Sequence, residues 1–261
     1  MSSTPFTKAH ACGNDFILID GKHAPKDLKQ LTVAICDRHR GIGADGVEFV
    51  FSDPQADARA RLFNADGSEG EISGNGTRCV AAYLAEQKAR EQFTIRTGAG
   101  IRTCTLIAHE GRRFEFETSM GEPQVGDPFS IKMAFGEQVG VPVSMGNPHF
   151  VLFVDDFAPG WQAEAGEIEH HHDFKHGTNV ELVRLVSKEE IEIRIFERGV
   201  GETQSSGTGS CASAVAAIHG GRAKSPLRVR ASGGTQTVRW DREVFLTGPA
   251  EIVGKGEFYA G

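Results

Sequence analysis

Ser73-Gly74-Asn75-Gly76 and Ser206-Gly207-Thr208-Gly209 lie 133 positions apart and decide the fold. The same offset lays Gly13-Asn14 on Gly146-Asn147, Val47-Glu48-Phe49-Val50 on Val180-Glu181-Leu182-Val183, Phe63 on Phe196 and Glu69 on Glu202. One spacing that serves several separated segments indicates a duplicated domain, with a unit far too long for a solenoid repeat. The expected halves are residues 1–115 and 116–249, with the join near 112–120 and residues 250–261 returning to the first half.

Working outward from the two motifs, each opens an apolar segment at helical length. Thr77 to Ala89 contains Cys79-Val80-Ala81-Ala82-Tyr83-Leu84-Ala85, and Thr208 to His219 contains Cys211-Ala212-Ser213-Ala214-Val215-Ala216-Ala217-Ile218. A helix apolar nearly all round is a buried helix, and Gly220-Gly221 stops the second. Phe16-Asp20, Val47-Ser52, Ala58-Asn64, Arg113-Glu117 and Glu190-Ile195 read as strands, several with period-two alternation. Asp27 to Arg38 carries Leu28, Leu31 and Ile35 at the spacing of an amphipathic helix. The fold class is therefore α/β (α+β), with two pseudo-symmetric halves. Each half is a barrel-like, mostly antiparallel sheet around a central helix, although a flat α+β layer fits the same pattern.

Composition narrows the function classes. The 261 residues carry a formal charge of −7, which argues against a general nucleic-acid binder. No run of eighteen apolar residues suggests a membrane span, and Met1 to Lys8 lacks the apolar middle of a signal peptide. The five cysteines, Cys12, Cys36, Cys79, Cys104 and Cys211, form no CxxC pair. An odd, scattered set suits a reducing cytoplasm.

A Ser-Gly-x-Gly run opening a helix can bring backbone N–H groups and the positive helix end to an anion. Two related copies suggest that both helix ends address one carboxylate, and an enediolate forming from it would be stabilised in the same way. Asn14, Asn64, Asn75, Asn147, Asn179, Glu197 and Arg198 are polar residues suited to a zwitterion nearby. The alternative for each motif alone is an ordinary serine cap and a glycine turn; Asn14 and Asn147 can be turn residues, and Glu197-Arg198 a solvated pair. His170-His171-His172, flanked by Glu169 and Asp173, is expected as an exposed loop rather than a metal site. Gly98-Ala99-Gly100 and Gly199-Val200-Gly201 are too short a signal for a dinucleotide site.

Several of these segments together resemble the diaminopimelate epimerase family: Ala11-Cys12-Gly13-Asn14-Asp15-Phe16, Asp37-Arg38-His39-Arg40-Gly41-Ile42-Gly43-Ala44-Asp45-Gly46, Phe63-Asn64-Ala65-Asp66-Gly67-Ser68-Glu69, Gly74-Asn75-Gly76-Thr77-Arg78-Cys79, Gly146-Asn147-Pro148-His149 and Glu197-Arg198-Gly199-Val200-Gly201-Glu202-Thr203. The resemblance covers nearly the whole chain. It implies a cofactor-independent, metal-free, two-base inversion of LL- and meso-diaminopimelate in lysine biosynthesis, by a cytoplasmic homodimer. It implies that His149 and Glu197 tune the two bases, that Asn14, Asn64, Asn147, Asn179 and Arg198 contact substrate, and that Gly74-Asn75 and Gly207-Thr208 hold the α-carboxylate. Arg198 is the expected partner of the distal carboxylate.

This chain departs from the family's pattern at the two base positions: Ser73 and Ser206 stand where the resemblance expects cysteine. Cys79 and Cys211 lie further into the helices and are not substitutes. A hydroxyl is a far weaker acid than a thiol, whose reference value is about 8.5, so proton transfer is expected to be impaired. Gly46 also departs from the glutamine of some relatives. A proline racemase-like or dehydratase-like enzyme, and a non-catalytic amino-acid-binding protein, are the competing expectations.

Overall fold

The two Gly-Asn pairs feed strands whose partners are related by the same 133-residue offset as the sequence. In the computed structural model, which describes residues 3–259, Asn14–Asp20 runs parallel to Gly46–Phe51 with Phe16 opposite Gly46. Pro148–Phe153 runs parallel to Asn179–Leu185 with His149 opposite Asn179. Gly46–Phe51 then pairs antiparallel with Ala58–Asn64, Val47 opposite Phe63, and Asn179–Leu185 with Glu190–Glu197, Val180 opposite Phe196. Register fixes which side chains face the core, so the two halves present equivalent positions to equivalent faces. The match slips by one residue at the next crossover, where Ala58 lies opposite Ile95 but Ile191 lies opposite Val229.

The chain divides into two units, Met1–Thr118 with Gly248–Gly261, and Ser119–Thr247. The strand Val244–Tyr259 runs through the second division, and its later residues pair antiparallel with the strand Ser3–Ala11, from Ser3 opposite Tyr259 to His10 opposite Glu251.

Each unit contains two parallel crossovers, each carrying a helix. In the first unit these are α1 (Leu28–Cys36) and α2 (Gly74–Ala85); in the second, α3 (Trp161–Glu169) and α4 (Gly207–His219). The central helices are α2 and α4. Ala81 and Ala82 of α2 pack with Ala9, Phe16, Leu62, Phe93, Phe116 and Ile252, side chains drawn from strands all round the unit. Ala212, Val215 and Ala216 of α4 pack likewise with Val143, Val151, Ile193, Val229, Val238 and Leu246. The strands of each unit thus curl around that unit's own helix. The small side chains let the strands close in on every side, and a larger one would overpack this core. The outer helices cover the opposite sheet face: Leu31 and Ile35 of α1 meet Ile17, Val47 and Phe49, and Trp161 and Ile168 of α3 meet Phe150 and Val180.

Helix ends differ from the sequence expectation, for local reasons. α2 and α4 begin at Gly74 and Gly207 rather than Thr77 and Thr208, because the serine before each supplies a side-chain cap. α2 stops at Ala85, and its last turn tightens as the amides of Gln87 and Lys88 both donate to the Leu84 carbonyl. α1 is shorter than Asp27 to Arg38. Asp27 caps it from outside by accepting from the Gln30 amide, and Asp37 turns the chain away by accepting from the amides of His39 and Arg40. The histidine tract is also corrected. Glu169 belongs to α3, is buried, and accepts from the Gly199 amide at 2.8 Å. The His171 side chain is only 8% exposed, with its ring 6.4 Å from that of Phe174, while His170 and His172 face solvent. Asp173 lies 3.4 Å from both His171 Nδ1 and His172 Nε2.

Candidate active site

In the first unit, Ser73 has extended backbone (φ −124°, ψ 122°), and its Oγ accepts from the Gly76 amide at 3.0 Å. This is the N-cap arrangement that satisfies one first-turn donor. Asn75 follows it, wholly buried, and donates through Nδ2 to Asn14 Oδ1 at 3.2 Å. Asn14 is placed by the turn Cys12-Gly13, both residues at positive φ. It is held from the other side by donating to Asp45 Oδ2 at 2.7 Å. The turn, the strand and the helix tip thereby bring Asn14, Ser73, Gly74 and Asn75 together.

Two buried charged residues in this unit were not singled out from sequence. Arg78 is completely buried within α2; its guanidinium donates to the carbonyls of Gly74 and Pro249 and to Asn75 Oδ1, the last at 2.6 Å. Asn75 therefore spends its carboxamide oxygen on the helix's own arginine. Glu48 is buried on the strand beside the helix tip, where burial pushes its carboxyl up to about 8. A methyl group on Gly76 would lie 2.2 Å from Glu48 Oε1, so the second glycine of the motif leaves room for the acid that packs against it. Asn64 does not join this group: its side chain donates to Ser68 Oγ at 2.9 Å within its own turn.

The second unit repeats the tip and adds to it. Ser206 has the same extended backbone (φ −132°, ψ 128°) and accepts from the Gly209 amide at 3.2 Å. Its hydroxyl also donates to Glu197 Oε2 at 3.3 Å, and Thr203 Oγ1 donates to Glu197 Oε1 at 2.7 Å. Burial pushes the Glu197 carboxyl upward and outweighs these hydrogen bonds. Asn147 donates to Thr208 Oγ1 at 3.3 Å, the counterpart of the Asn75–Asn14 contact. His149 meets Asn147 Oδ1 through Nε2 at 3.1 Å and Glu181 Oε1 through Nδ1 at 2.7 Å, with both of the last side chains fully buried. A methyl group on Gly209 would lie 2.7 Å from Glu181 Oε1, as at Gly76.

Asn179 and Arg198 form a separate pair. Asn179 donates to the Pro148 carbonyl at 2.7 Å and accepts from the Arg198 amide at 3.0 Å; the Arg198 guanidinium donates to the His176 carbonyl at 3.2 Å. The signal for Glu48 and Glu181 was present in the duplicated Val-Glu-x-Val strand, where one acid interrupts apolar neighbours at the same place twice.

The segments that carry the two tips lie within the match to a known family. The diaminopimelate epimerase family model matches residues 6–126 and 141–253. The chain is 41% identical to the diaminopimelate epimerase of Pelotomaculum thermopropionicum, covering 97% of this chain and 98% of that protein. The chain belongs to the diaminopimelate epimerase family. The diaminopimelate epimerase of Halothermothrix orenii is 40% identical over 97% of this chain and 96% of its own length. Among solved structures, a hydroxyproline epimerase from Agrobacterium vitis superposes with a TM-score of 0.80 at 18% identity, covering 98% of this chain and 91% of that one. A PhzF-family phenazine biosynthesis protein from Bacillus anthracis gives 0.77, also at 18% identity, with both chains covered completely. These two structures share the diaminopimelate epimerase fold at low identity. The family is one of isomerases, and His149, Glu197 and the two capped tips belong to its matched segments. Among the described residues, no helix is long and apolar enough to cross a membrane.

Proposed function

We propose that this chain binds diaminopimelate and acts on its α-carbon as a cofactor-independent and metal-free epimerase, linking the LL and meso isomers in lysine biosynthesis, with turnover held low by serine at both base positions. The observation that carries the reading is the pair of serine-capped helix tips, alike in residue type and backbone, in a chain of this family.

A helix N-terminus favours a carboxylate, which supports assigning Gly74, Asn75, Gly207 and Thr208 to the α-carboxylate. Ser73 and Ser206 take the places of the two proton-transferring groups. His149 and Glu197 are assigned to tune the two bases, and the Ser206–Glu197 hydrogen bond favours Glu197 at the second. Asn14, Asn64, Asn147, Asn179 and Arg198 are assigned to the substrate's polar groups, with Arg198 at the distal carboxylate. We assign the chain to the cytoplasm and to a homodimer on its family resemblance alone.

A serine hydroxyl would rarely be ionised even at a helix end, so it is a poor base and an adequate placeholder. The test is exchange of the α-proton of diaminopimelate into deuterated water, comparing this chain with Ser73→Cys/Ser206→Cys. The double variant is expected to exchange at least about 100-fold faster, the lower end of a general acid–base contribution; equal rates refute the impairment. Titration calorimetry with both isomers reads binding separately. Tight binding without turnover in either protein favours an amino-acid-binding protein, a reading that the two serines themselves support. Absence of binding refutes the substrate.

A further inference from the structure

Glu48 and Glu181 occupy equivalent places. Each is the third residue of its strand, Glu48 between Leu18 and Leu62 and Glu181 between Val151 and Ile195 in the paired strands. Each packs against the second glycine of its helix tip. Two residues before Leu18 and Val151, the copies diverge: the first has Phe16, part of the core around α2, and the second has His149.

The consequence lies in hydrogen bonding. Glu181 Oε1 is 2.7 Å from His149 Nδ1, and neither side chain is exposed, so water does not choose the ring's tautomer. Among the described residues, Glu181 Oε2 is buried with no hydrogen-bond partner. The carboxylate is thus directed at the ring alone. Which nitrogen of a histidine carries the proton is set by the hydrogen bond at the other, and a buried carboxylate behind an imidazole fixes both its tautomer and its orientation.

We propose that Glu181 is a positioning residue for His149. It holds a proton on Nδ1 and fixes the ring with Nε2 meeting Asn147 Oδ1, so that the α4 tip, and not the α2 tip, has an oriented imidazole beside its acid. The α2 tip keeps the acid without the ring. Burial holds Glu48 as a neutral carboxyl at pH 7, where it fills space against Gly76. The duplication therefore yields two tips of unlike chemistry, one backed by an oriented imidazole and one by a neutral acid. The role at the tip rests on the epimerase reading above; the tautomer does not.

The experiment is nitrogen-15 NMR of the histidine rings in the unliganded chain and in Glu181→Gln, Glu181→Leu and Glu48→Gln, with His149 assigned by His149→Gln. In the native chain, Nδ1 of His149 is expected to carry a slowly exchanging, strongly deshielded proton. Glu181→Gln keeps an acceptor but loses the charge, so the proton stays and moves upfield. Glu181→Leu, folded by circular dichroism, loses the Nδ1 proton and keeps the ring protonated at Nε2, toward Asn147 Oδ1, and Glu48→Gln leaves the ring signals in place. Three results overturn the proposal: an unprotonated Nδ1 in the native chain, an Nδ1 proton unmoved in Glu181→Gln, or an Nδ1 proton retained in a folded Glu181→Leu. If Glu181→Leu does not fold, the native and glutamine spectra decide. Calorimetry with diaminopimelate on the same samples reads the epimerase assignment separately, because the ring assignment needs no substrate.

Discussion

Ser206 Oγ accepts from the Gly209 amide at 3.2 Å and donates to Glu197 Oε2 at 3.3 Å, with Thr208 Oγ1 beside it at 3.5 Å. Ser73 accepts from the Gly76 amide in the same way. Removing the hydroxyl should therefore cost unequal amounts. Ser73→Ala loses an N-cap, about 1 kcal/mol. Ser206→Ala loses the cap and a hydrogen bond to a buried carboxyl, together about 2 kcal/mol. Urea unfolding of the two variants measures the difference, and equal midpoints would show that the Glu197 contact contributes nothing to stability.

Gly76→Ala and Gly209→Ala should each destabilise by about 1–3 kcal/mol through overpacking, since the added methyl would meet Glu48 or Glu181 at 2.2 Å and 2.7 Å. Shortening the acid should relieve the strain. In a double-mutant cycle, Gly76→Ala combined with Glu48→Asp is expected to be more stable than the sum of the two single changes. Additive costs would place the strain elsewhere.

Glu48 imposes a pH dependence of definite sign. Burial raises its carboxyl from 4.5 in the unfolded chain to about 8. Its contribution to stability is complete below the unfolded value and is lost as pH rises through the folded one. The chain should lose stability relative to Glu48→Gln between about pH 4.5 and 8. Urea midpoints taken across that range test this, and parallel curves for the two proteins would show that Glu48 is ionised within the fold.

All five cysteines are buried and outside any disulfide. Burial pushes the Cys36 thiol up to about 12 and that of Cys104 up to about 11, and raises Cys79 as well. Because the thiolate is the reactive form, iodoacetamide at pH 8 should label the native chain slowly and the urea-unfolded chain at five sites. Ser73→Cys, at a half-buried helix N-terminus, should add a more rapidly labelled site, whereas Ser206→Cys, at a buried one, should label slowly in the native chain. Mass spectrometry of the labelled peptides locates the modification, and fast labelling of Cys36 or Cys79 would contradict the buried placement.

The duplication was legible because it repeats residue types at one offset, and strand register follows residue type when one face is buried. Side-chain direction was less legible. Asn75 and Asn179 read as ligand contacts, yet part of Asn75 serves Arg78 and both ends of Asn179 serve backbone groups. Nothing in a linear pattern says that an arginine inside an apolar helix will turn back onto that helix's first carbonyls. The histidine tract reads as surface by composition, and it took the placement of Phe174 to cover His171. Glu48 and Glu181 were visible as charges within strands, but their meaning depends on how each strand meets its helix tip.

The strand Val244–Tyr259 pairs along Ser3–Ala11, and this sets an order for synthesis. The unit Ser119–Thr247 is contiguous and is complete in sequence before residues 248–259 emerge from the ribosome. The unit begun first closes after the other, because its sheet waits for residues 248–259. Until then its N-terminal strand carries an unpaired edge open to wrong partners, so a premature stop shortly after residue 247 would spare the later-made unit and leave the earlier one unclosed.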